Sequence, residues 1–477
     1  MNKQVCRQDI SKKTSFYILS IFYYNVIISL RLYCVGGRGK IESVDERMNN
    51  FFKLKEHNVT FKGEALAALT SFFAAIYIIV VNASILSDAH IAVEPLIIST
   101  VFASFTGCMI AAFVSNAPLI IMPGMGINAL VTYTIVNTLG LTFYEALAAI
   151  LVAGILFTIV ALTPLSKLLM EAIPGTLKEA ITVGIGLFIA FLGLQKSGLV
   201  VADGSTLVTI GKINSPEVLL FILIMIITLV LFLKNVRGSF LISIILGTVL
   251  AIVFGLVDVS GLSFTLPDFN GYKEIFFNMS FSAMGSINFW IGTYSLTLIL
   301  VFENIGILYA QTHVLLEAPE KASKSLAAVS FATIGCALLG CSPPVSTVEG
   351  NAGMTDGGRT GLTSVICGIL FLASLFFIPF ISIIPDIAIA PILIILGCLM
   401  SQNLKNMKFD DLSDFFPCFV TVITIPLTYS IIDGIALGFI LYPICKICSK
   451  KHKEISIPMY VTAVIFLLYF IITGLMH

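Results

Sequence analysis

The chain has 477 residues, of which 58% are hydrophobic and 11% are charged, and its mean hydropathy is +1.02. This composition excludes an ordinary soluble domain and predicts an all-α polytopic membrane protein embedded in a lipid bilayer. Lys plus Arg and Asp plus Glu each number 27, so no basic excess points to nucleic acid as a partner.

The first 47 residues are predicted to be an N-terminal extension that the protein does not need. Within it, residues 15–35 are hydrophobic but interrupted by Asn25 and Arg31, and they lack the small-residue cleavage site of a secretory signal. Residues 48–64 follow as a cytoplasmic segment. We expect a chain that begins at Met48 to function normally.

Twelve stretches are long and apolar enough to cross about 30 Å of hydrocarbon. They are 65–87, 95–115, 141–163, 175–195, 216–233, 239–258, 287–311, 324–340, 361–383, 386–402, 414–431 and 433–448. Two shorter, broken stretches, at 116–136 and 341–361, raise the number to fourteen. We number these spans 1 to 14 in chain order, so the broken stretches are spans 3 and 10. The sequence leaves open whether 457–475, in the C-terminal segment 449–477, is a further span or a peripheral helix.

Basic residues concentrate on one side of this topology, which predicts a cytoplasmic N-terminus in a multi-pass plasma-membrane protein. The basic side carries Lys167, Lys178, Lys234, Arg237, Lys321, Lys324, Arg359, Lys405, Lys408 and the lysines of 446–453, whereas the other side has Lys196 and Lys273.

The two broken spans have related sequences, "PLIIMPGMGIN" and "PVSTVEGNAGM". Aligning them pairs Pro118 with Pro344 and Gly124 with Gly350, which predicts extended chain before each glycine and a short helix starting at it. The alignment also makes 65–258 and 287–448 two inverted seven-span repeats, joined by the extracytoplasmic loop 259–286. Because broken backbone survives in a membrane only where protein or a wet cavity covers it, matched breaks point to a midplane binding site. The alternative is that Pro and Gly merely kink two packed helices.

Two acids fall within the spans and are predicted to be functional, because an ionisable side chain at that depth is costly. Glu303 lies inside span 8 and Glu349 lies at the second break. Four other acids near span ends are predicted to be solvated or capping residues: Asp88, Glu94, Glu145 and Asp433. We also expect Asp356 and Arg359 to form a loop contact with each other.

Four motifs, in order "FKLKEHNVTFKGEALAALTSFFAAIYIIVVNASIL", "PGMGINA", "FENIGIL" and "GGRTGLTSV", resemble the nucleobase-cation symporters, in their azaguanine-permease-like branch. The resemblance runs from about Met48 to the C-terminus. It implies a core domain of spans 1–4 and 8–11, about 65–165 and 287–383, that moves against a gate domain of spans 5–7 and 12–14, about 166–258 and 384–448. It also implies adenine, guanine and hypoxanthine as substrates.

Residue by residue, the resemblance places Glu303 at the acid of an "FDT"-like motif, Glu349 at the glutamate before a helix of the second repeat, and Asn128 at the asparagine of "PGMGLNA". Two departures, the longer Glu303 and the missing threonine after it, put the exact substrate in doubt. The predicted substrate site comprises Glu349, Glu303, Asn128, Gly124, Gly126, Gly350 and Phe302, with Phe72, Phe73 and Tyr77 as further candidate apolar faces.

The expected function is import of purine nucleobases by proton symport, with no enzymatic activity, cofactor or metal. Carboxylates accept hydrogen bonds from purine N–H groups. Desolvation favours the protonated form of an acid, so we assign Glu349 chiefly to substrate and Glu303 chiefly to proton coupling. The alternatives are a uracil or xanthine carrier, an anion transporter of the same architecture and, less favoured, a channel or membrane enzyme. The preferred purine, sodium in place of the proton, and a homodimer stay open.

Overall fold

The computed structural model describes residues 50–166, 173–257, 269–407 and 409–476. Residues 52–477 form one compact unit, and of the part before it only Asn50 and Phe51 are described. The predictions for residues 1–47, for Met48 and for Lys167 and Lys408 lie outside the described residues.

The predicted spans appear as helices at the expected places. In the first repeat they are span 1, Phe61–Ala75 and Tyr77–Ser87; span 2, Val93–Ser115; span 3, strand β1 Ile121–Pro123, helix Met125–Ala129 and π-helix Leu130–Thr138; span 4, Phe143–Leu162; span 5, Gly175–Lys196; span 6, Pro216–Leu233; and span 7, Ser239–Val253. A hairpin of β2, Val200–Asp203, and β3, Leu207–Ile210, connects spans 5 and 6. The segment between the repeats contains helix Phe269–Ile275 and the 3-10 helix Ser282–Gly285.

The second repeat follows the same plan. It consists of span 8, Ile287–Tyr309 continued by π-helix Ala310–Leu315; span 9, Ala322–Leu338; span 10, strand β4 Pro344–Ser346, 3-10 turn Val348–Gly350 and helix Asn351–Thr355; span 11, Gly361–Ala373, Ser374–Phe377 and Ile378–Ile381; span 12, Asp386–Ser401 and Gln402–Asn406; span 13, Leu412–Thr428; and span 14, Ile431–Cys448. Short 3-10 helices, Pro319–Lys321 and His452–Glu454, precede span 9 and the C-terminal helix Ile457–Met476.

Ten of the described helices are long and apolar enough to cross a membrane, and two shorter apolar helices form spans 7 and 13. The sequence marks where several of them begin. Thr142 and Glu145 form a capping box at the start of span 4, which agrees with the capping role predicted for Glu145. Ser215 and Ser286 cap spans 6 and 8 by accepting a backbone N–H from the first turn.

The spans pack in two groups. Spans 2, 9 and 11 pack together, and spans 4 and 8 lie against span 9 and each other; spans 5, 12 and 13 form the other group with span 14 beside them. Spans 5 and 12 approach closely at glycines: a Cβ built on Gly186 would lie 2.6 Å from the Cβ of Met400 and 2.9 Å from the carbonyl oxygen of Gly397. Small residues let helices approach in this way without a hydrophobic driving force.

The two breaks meet as an antiparallel pair of strands. Ile121 lies opposite Ser346, Met122 opposite Val345 and Pro123 opposite Pro344. This register shows which residues lie opposite each other across the two breaks. The alignment of Pro118 with Pro344, which concerns equivalent positions in the two repeats, stays a prediction.

The predicted short helices start at the two aligned glycines. Gly124 is the N-cap of helix Met125–Ala129, and Gly350 is the N-cap of helix Asn351–Thr355. In the second break a 3-10 turn, Val348–Gly350, comes before the helix, and Gly350 has helical backbone angles, φ −60° and ψ −23°.

The C-terminal helix packs antiparallel along span 14. The Tyr469 hydroxyl donates to Asp433 at the start of span 14, and Glu454, just before the helix, accepts from Lys446 near the end of span 14. Between these points Phe466 packs on Phe439. Because the helix runs the whole length of span 14, the structure favours a further span over a peripheral helix.

The predicted pair of Asp356 and Arg359 is wrong. Asp356 instead binds Arg237 at 3.0 Å and accepts a hydrogen bond from Thr70, while the Arg359 guanidinium donates to the carbonyl oxygens of Met354 and Gly358. The tight turn that carries the "GGRTG" motif directs the two side chains to different neighbours.

The same motif is held by an acid on span 1. Glu64, fully buried, accepts hydrogen bonds from the backbone N–H groups of Arg359, Thr360 and Thr363 and from the Thr363 hydroxyl. It therefore caps span 11 from outside that helix.

Candidate functional site

The two breaks satisfy each other's backbone groups. Beyond the strand register, the Gly124 N–H donates to the Pro343 carbonyl at 3.2 Å, and both the N–H and the hydroxyl of Thr347 donate to the Ile120 carbonyl, at 2.9 and 3.1 Å. Extended chain inside a membrane needs such partners because lipid offers none. The paired strands, which we call the floor, therefore keep this extended backbone satisfied between spans 3 and 10, with span 8 packed against β4.

Glu349 lies on the helical turn directly after this floor. Its carboxylate accepts a short hydrogen bond from the hydroxyl of Tyr77 on span 1. Tyr77 is fully buried and packs edge-on against Phe240 of span 7, with the ring centroids 5.0 Å apart. Sequence reasoning treated Tyr77 as an apolar face, but its hydroxyl is the part that contacts the site. Glu349 itself is half-buried, and the neighbouring Val348 is 60% exposed.

Glu303 approaches the floor from span 8. It is half-buried and makes no hydrogen bond or ion pair with any residue that the structure describes. The next residue, Asn304, shows where Glu303 lies relative to strand β4. The Asn304 side-chain oxygen accepts a hydrogen bond from the Ser346 N–H at 3.2 Å, and its amide donates one to the Leu300 carbonyl. Glu303 thus lies at the level of β4 with its carboxylate free to bind.

Gln311, one π-helical turn from the end of span 8, anchors the other side of the break. Its amide donates to the Thr347 carbonyl at 2.9 Å and to the Asn351 side chain at 2.8 Å, and its oxygen accepts from the Ser346 hydroxyl at 2.6 Å. Sequence reasoning missed Asn304 and Gln311. The available signal was their spacing of seven residues inside an apolar span, which places both on one helix face.

Asn128 is buried on the helical half of span 3. Its amide nitrogen lies 4.0 Å from the Met125 sulfur, and its oxygen has no hydrogen-bond partner among the described residues. A buried amide oxygen without a partner is costly, so Asn128 is available to a ligand or to water.

The three glycines assigned to the site have different surroundings. A Cβ on Gly124 would lie 2.9 Å from Val345 of the opposite strand, and one on Gly350 would lie 3.2 Å from Ile120. Both glycines therefore let the breaks pack against each other. Gly126 instead faces span 5, where a Cβ would lie 2.8 Å from Ile185 Cγ2.

Among the aromatic candidates, Phe302 precedes Glu303 in span 8. It is half-buried, and the Lys178 ammonium group lies 5.8 Å from its ring centroid. Phe72 packs on Phe371 with centroids 5.3 Å apart, and Phe73 is 47% exposed.

At one end of the molecule, which we call the Lys196 end, an ion-pair cluster joins span 5 to spans 1 and 12. The Lys196 ammonium lies 3.3 Å from both Asp88 and Asp386. Asp88 also accepts from the Tyr133 hydroxyl at 2.5 Å, and Tyr133 packs edge-on against Phe188 of span 5. These contacts join spans 1 and 3 to spans 5 and 12 at this end.

The fold is shared with solved membrane transporters. The transmembrane domain of a cyanobacterium bicarbonate transporter, BicA, matches with a TM-score of 0.60 at 16% identity, over 78% of this chain and 97% of that one. The murine anion transporter Slc26a9 in its inward-facing state matches with a TM-score of 0.59 at 11% identity, over 89% and 75%. The predicted fold of two inverted seven-span repeats in core and gate domains is confirmed, and it defines the class as a two-domain, inverted-repeat membrane fold. The residue boundaries assigned to the domains stay predictions.

Sequence comparison gives the family. A model described as "Permease family" matches residues 62–437, and the chain belongs to this family. It is a multi-pass permease and not an enzyme, and its resemblance to the azaguanine-permease-like branch is confirmed.

Three relatives illustrate this branch. The nucleobase transporter PlAzg2 of Paenibacillus larvae is 41% identical over 80% of this chain and 76% of its own length. The guanine/hypoxanthine permease PbuO of Bacillus subtilis is 38% identical over 87% and 98%. The adenine permease AdeQ of Escherichia coli is 32% identical over 88% and 95%.

Proposed function

We propose that this permease imports purine nucleobases by proton symport across the plasma membrane, with its N-terminus and the Arg359 loop in the cytoplasm. The observation that carries the proposal is the pair of carboxylates beside the paired breaks, Glu349 held by Tyr77 and Glu303 without a partner. The names of the relatives supply the substrate class.

The chemistry of the site suits a neutral, flat heterocycle with N–H donors. A carboxylate fixed by one hydrogen bond keeps acceptor sites for ligand N–H groups, so Glu349 binds the purine edge. Phe302 offers a ring face, and the free oxygen of Asn128 accepts a further donor. An anion as substrate is disfavoured because two acids at the site repel it, although the structural relatives include anion transporters.

The two acids have different roles, which follow from their hydrogen-bond partners. The Glu349 carboxylate accepts a hydrogen bond from the Tyr77 hydroxyl, which stabilises its ionised form. Glu303 is half-buried and has no described partner, and a partly desolvated carboxylate without a partner is costly unless it takes up a proton. Glu303 therefore binds the coupling proton, and its neutralisation favours movement of the core domain past the gate domain with substrate bound.

Two substitutions test this division of labour on purified protein. Glu349→Gln places an amide donor where an acceptor is needed, so calorimetry should show hypoxanthine binding weakened by roughly tenfold or more, the value of a charged hydrogen bond. Glu303→Gln mimics the protonated acid and should bind hypoxanthine, but its uptake in proteoliposomes should no longer respond to a pH gradient.

Glu217→Gln is the matched control, because it neutralises an exposed acid in the first turn of span 6. It should behave like the parent protein in both assays. A Glu303→Gln protein that keeps a full response to the pH gradient, or a Glu349→Gln protein that binds like the parent, would show the assignment to be wrong. Competition of labelled hypoxanthine with adenine, guanine, xanthine and uracil, with and without a protonophore, tests the substrate class and the coupling.

A further inference from the structure

At the Lys196 end, one cation contacts acids on both groups of spans. The Lys196 ammonium, on span 5, lies 3.3 Å from the carboxylate of Asp88, which ends span 1, and 3.3 Å from that of Asp386, which begins span 12. The Lys196 side chain is 12% exposed, whereas those of Asp88 and Asp386 are 36% and 51% exposed. The ammonium is therefore largely withdrawn from water, and these carboxylates are its charge partners.

The contact between Lys196 and Asp386 lies within one group of spans. About one turn further into each helix, spans 5 and 12 approach closely, because a Cβ built on Gly193 would lie 2.8 Å from the Ala390 carbonyl oxygen. Helices packed this tightly have no space in which to slide past each other. We therefore expect Lys196 and Asp386 to move together.

Asp88 belongs to the other group of spans and has partners of its own there. Its carboxylate accepts a hydrogen bond from the Tyr133 hydroxyl on span 3 at 2.5 Å, and its backbone carbonyl accepts one from the Asn137 amide at 3.4 Å. Spans 1 and 3 both pack on span 2, so these hydrogen bonds lie within one group. The ion pair between Lys196 and Asp88, by contrast, joins the two groups.

Two further hydrogen bonds join the groups near this ion pair. The Ser84 hydroxyl of span 1 donates to Asp386 at 2.9 Å, and the Thr134 hydroxyl of span 3 accepts from the Ile431 N–H at the start of span 14, also at 2.9 Å. Each of these contacts has at least one neutral member. A change of charge at Asp88 or Asp386 therefore acts mainly through Lys196.

Separation of the groups at this end would leave every charge with a partner. Lys196 would keep Asp386, and Asp88 would keep the Tyr133 hydroxyl, whereas an ordinary ion pair with low exposure is costly to break because it leaves a charge unpaired. We propose that these residues form a reversible latch, in which Asp88 holds the groups together and Asp386 carries the Lys196 charge when the latch opens. The inference rests on the movement of the core domain against the gate domain in the proposed function.

The two acids have opposite roles in this latch. Asp88→Asn removes the attraction between the groups but keeps an oxygen that accepts from Tyr133, so the separated arrangement should gain population. Asp386→Asn removes the partner that Lys196 keeps on opening, and it also removes the repulsion between two carboxylates that share one ammonium, so the joined arrangement should gain population. Because water screens both carboxylates, we expect each change to alter the population ratio by about two- to fivefold.

Spin labels on two exposed alanines at this end measure the separation. Ala92, between spans 1 and 2, and Ala202, on the hairpin after span 5, are changed to cysteine in the full chain, with the reactive native cysteines replaced by serine. Double electron–electron resonance in lipid then gives the distance distribution. Asp88→Asn should raise the fraction at the longer distance by about two- to fivefold, and Asp386→Asn should lower it by a similar factor. Lys196→Gln, which leaves the two carboxylates without their cation, should raise it at least as much as Asp88→Asn.

Glu274→Gln is the matched control, since it neutralises an exposed acid at the same end of the molecule. Its helix packs there, where a Cβ built on Gly271 would lie 3.1 Å from Pro95 of span 2. The control should leave the distance distribution unchanged. If the parent protein shows two distances, but the Asp88 and Asp386 variants shift them in the same direction or not at all, the latch alone is overturned. A single distance in the parent protein, with and without hypoxanthine, overturns the domain movement of the proposed function and the latch with it.

Discussion

Gly126→Ala tests how the site depends on contact between the core and gate domains. Gly126 belongs to the first break, and a methyl group there would lie 2.8 Å from Ile185 Cγ2 on span 5 and 3.8 Å from Met400 Cε on span 12. Ile185 Cγ2 is attached directly to Cβ and cannot rotate away freely, so one domain must shift. Overpacking of this kind costs about 1–3 kcal/mol.

That cost applies to the described arrangement of the domains, and under the proposed transport cycle it is relieved when the domains move apart. The population of this arrangement should therefore fall by roughly 5- to 150-fold relative to the others. Alanine also favours helix over glycine by up to about 1 kcal/mol, but this gain is the same in every arrangement and cancels. Uptake of labelled hypoxanthine in proteoliposomes should fall at least about fivefold.

Ile185→Ala provides the decisive second variant, because it removes the Cγ2 atom that the new methyl group meets. The pair should show strong coupling in a double-mutant cycle, with uptake by the double variant close to that of Ile185→Ala alone. Gly175→Ala, where a Cβ meets nothing within 4 Å, is the control. If adding Ile185→Ala to the Gly126→Ala protein fails to restore uptake, the contact between the new methyl group and Ile185 is not the cause of the loss. The methyl group then acts on bound substrate, as the sequence analysis predicts for this glycine.

Three further predictions concern single contacts. Tyr77→Phe removes the hydroxyl that holds Glu349, so calorimetry should show purine binding weakened by roughly tenfold; unchanged affinity would remove Tyr77 from the site. Glu64→Gln puts an amide among the N–H groups at the start of span 11 and should cost about 1–3 kcal/mol in a thermal or denaturant melt, whereas an unchanged melt would contradict the capping role. Gly397→Ala would bring a Cβ within 2.7 Å of Ala190 on span 5, so its melting temperature should fall, and a melt like that of the parent would show that spans 5 and 12 can separate at no cost.

The sequence alone determined the class of the protein and the positions of its spans. A membrane span is encoded in about twenty consecutive residues, so hydropathy finds it without knowledge of its neighbours. The breaks were visible for the same reason, since Pro and Gly interrupt an apolar run locally. Glu303 and Glu349 stood out because charged residues are rare inside such runs.

The sequence could not show which distant residues contact each other. Tyr77 and Glu349 are 272 residues apart in the chain, and Arg237 and Asp356 are 119 apart, so no local sequence pattern relates the members of either pair. The sequence also could not show which residues of the two breaks face each other, because backbone hydrogen bonds, and not residue identity, fix the strand register.

The tertiary structure also decided what the glycines and polar residues do. Gly124 and Gly126 are two positions apart in one motif, yet one faces the opposite strand and the other faces span 5. Ser295 resembles Thr293 and Thr297 of the same helix in sequence, yet those two hydroxyls donate back to their own helix, whereas the buried Ser295 hydroxyl has no hydrogen-bond partner among the described residues. Sequence fixes which side chains a span carries, whereas the rotation and register of each span against its neighbours fix which of them reach the site, and that choice is made by packing over the whole molecule.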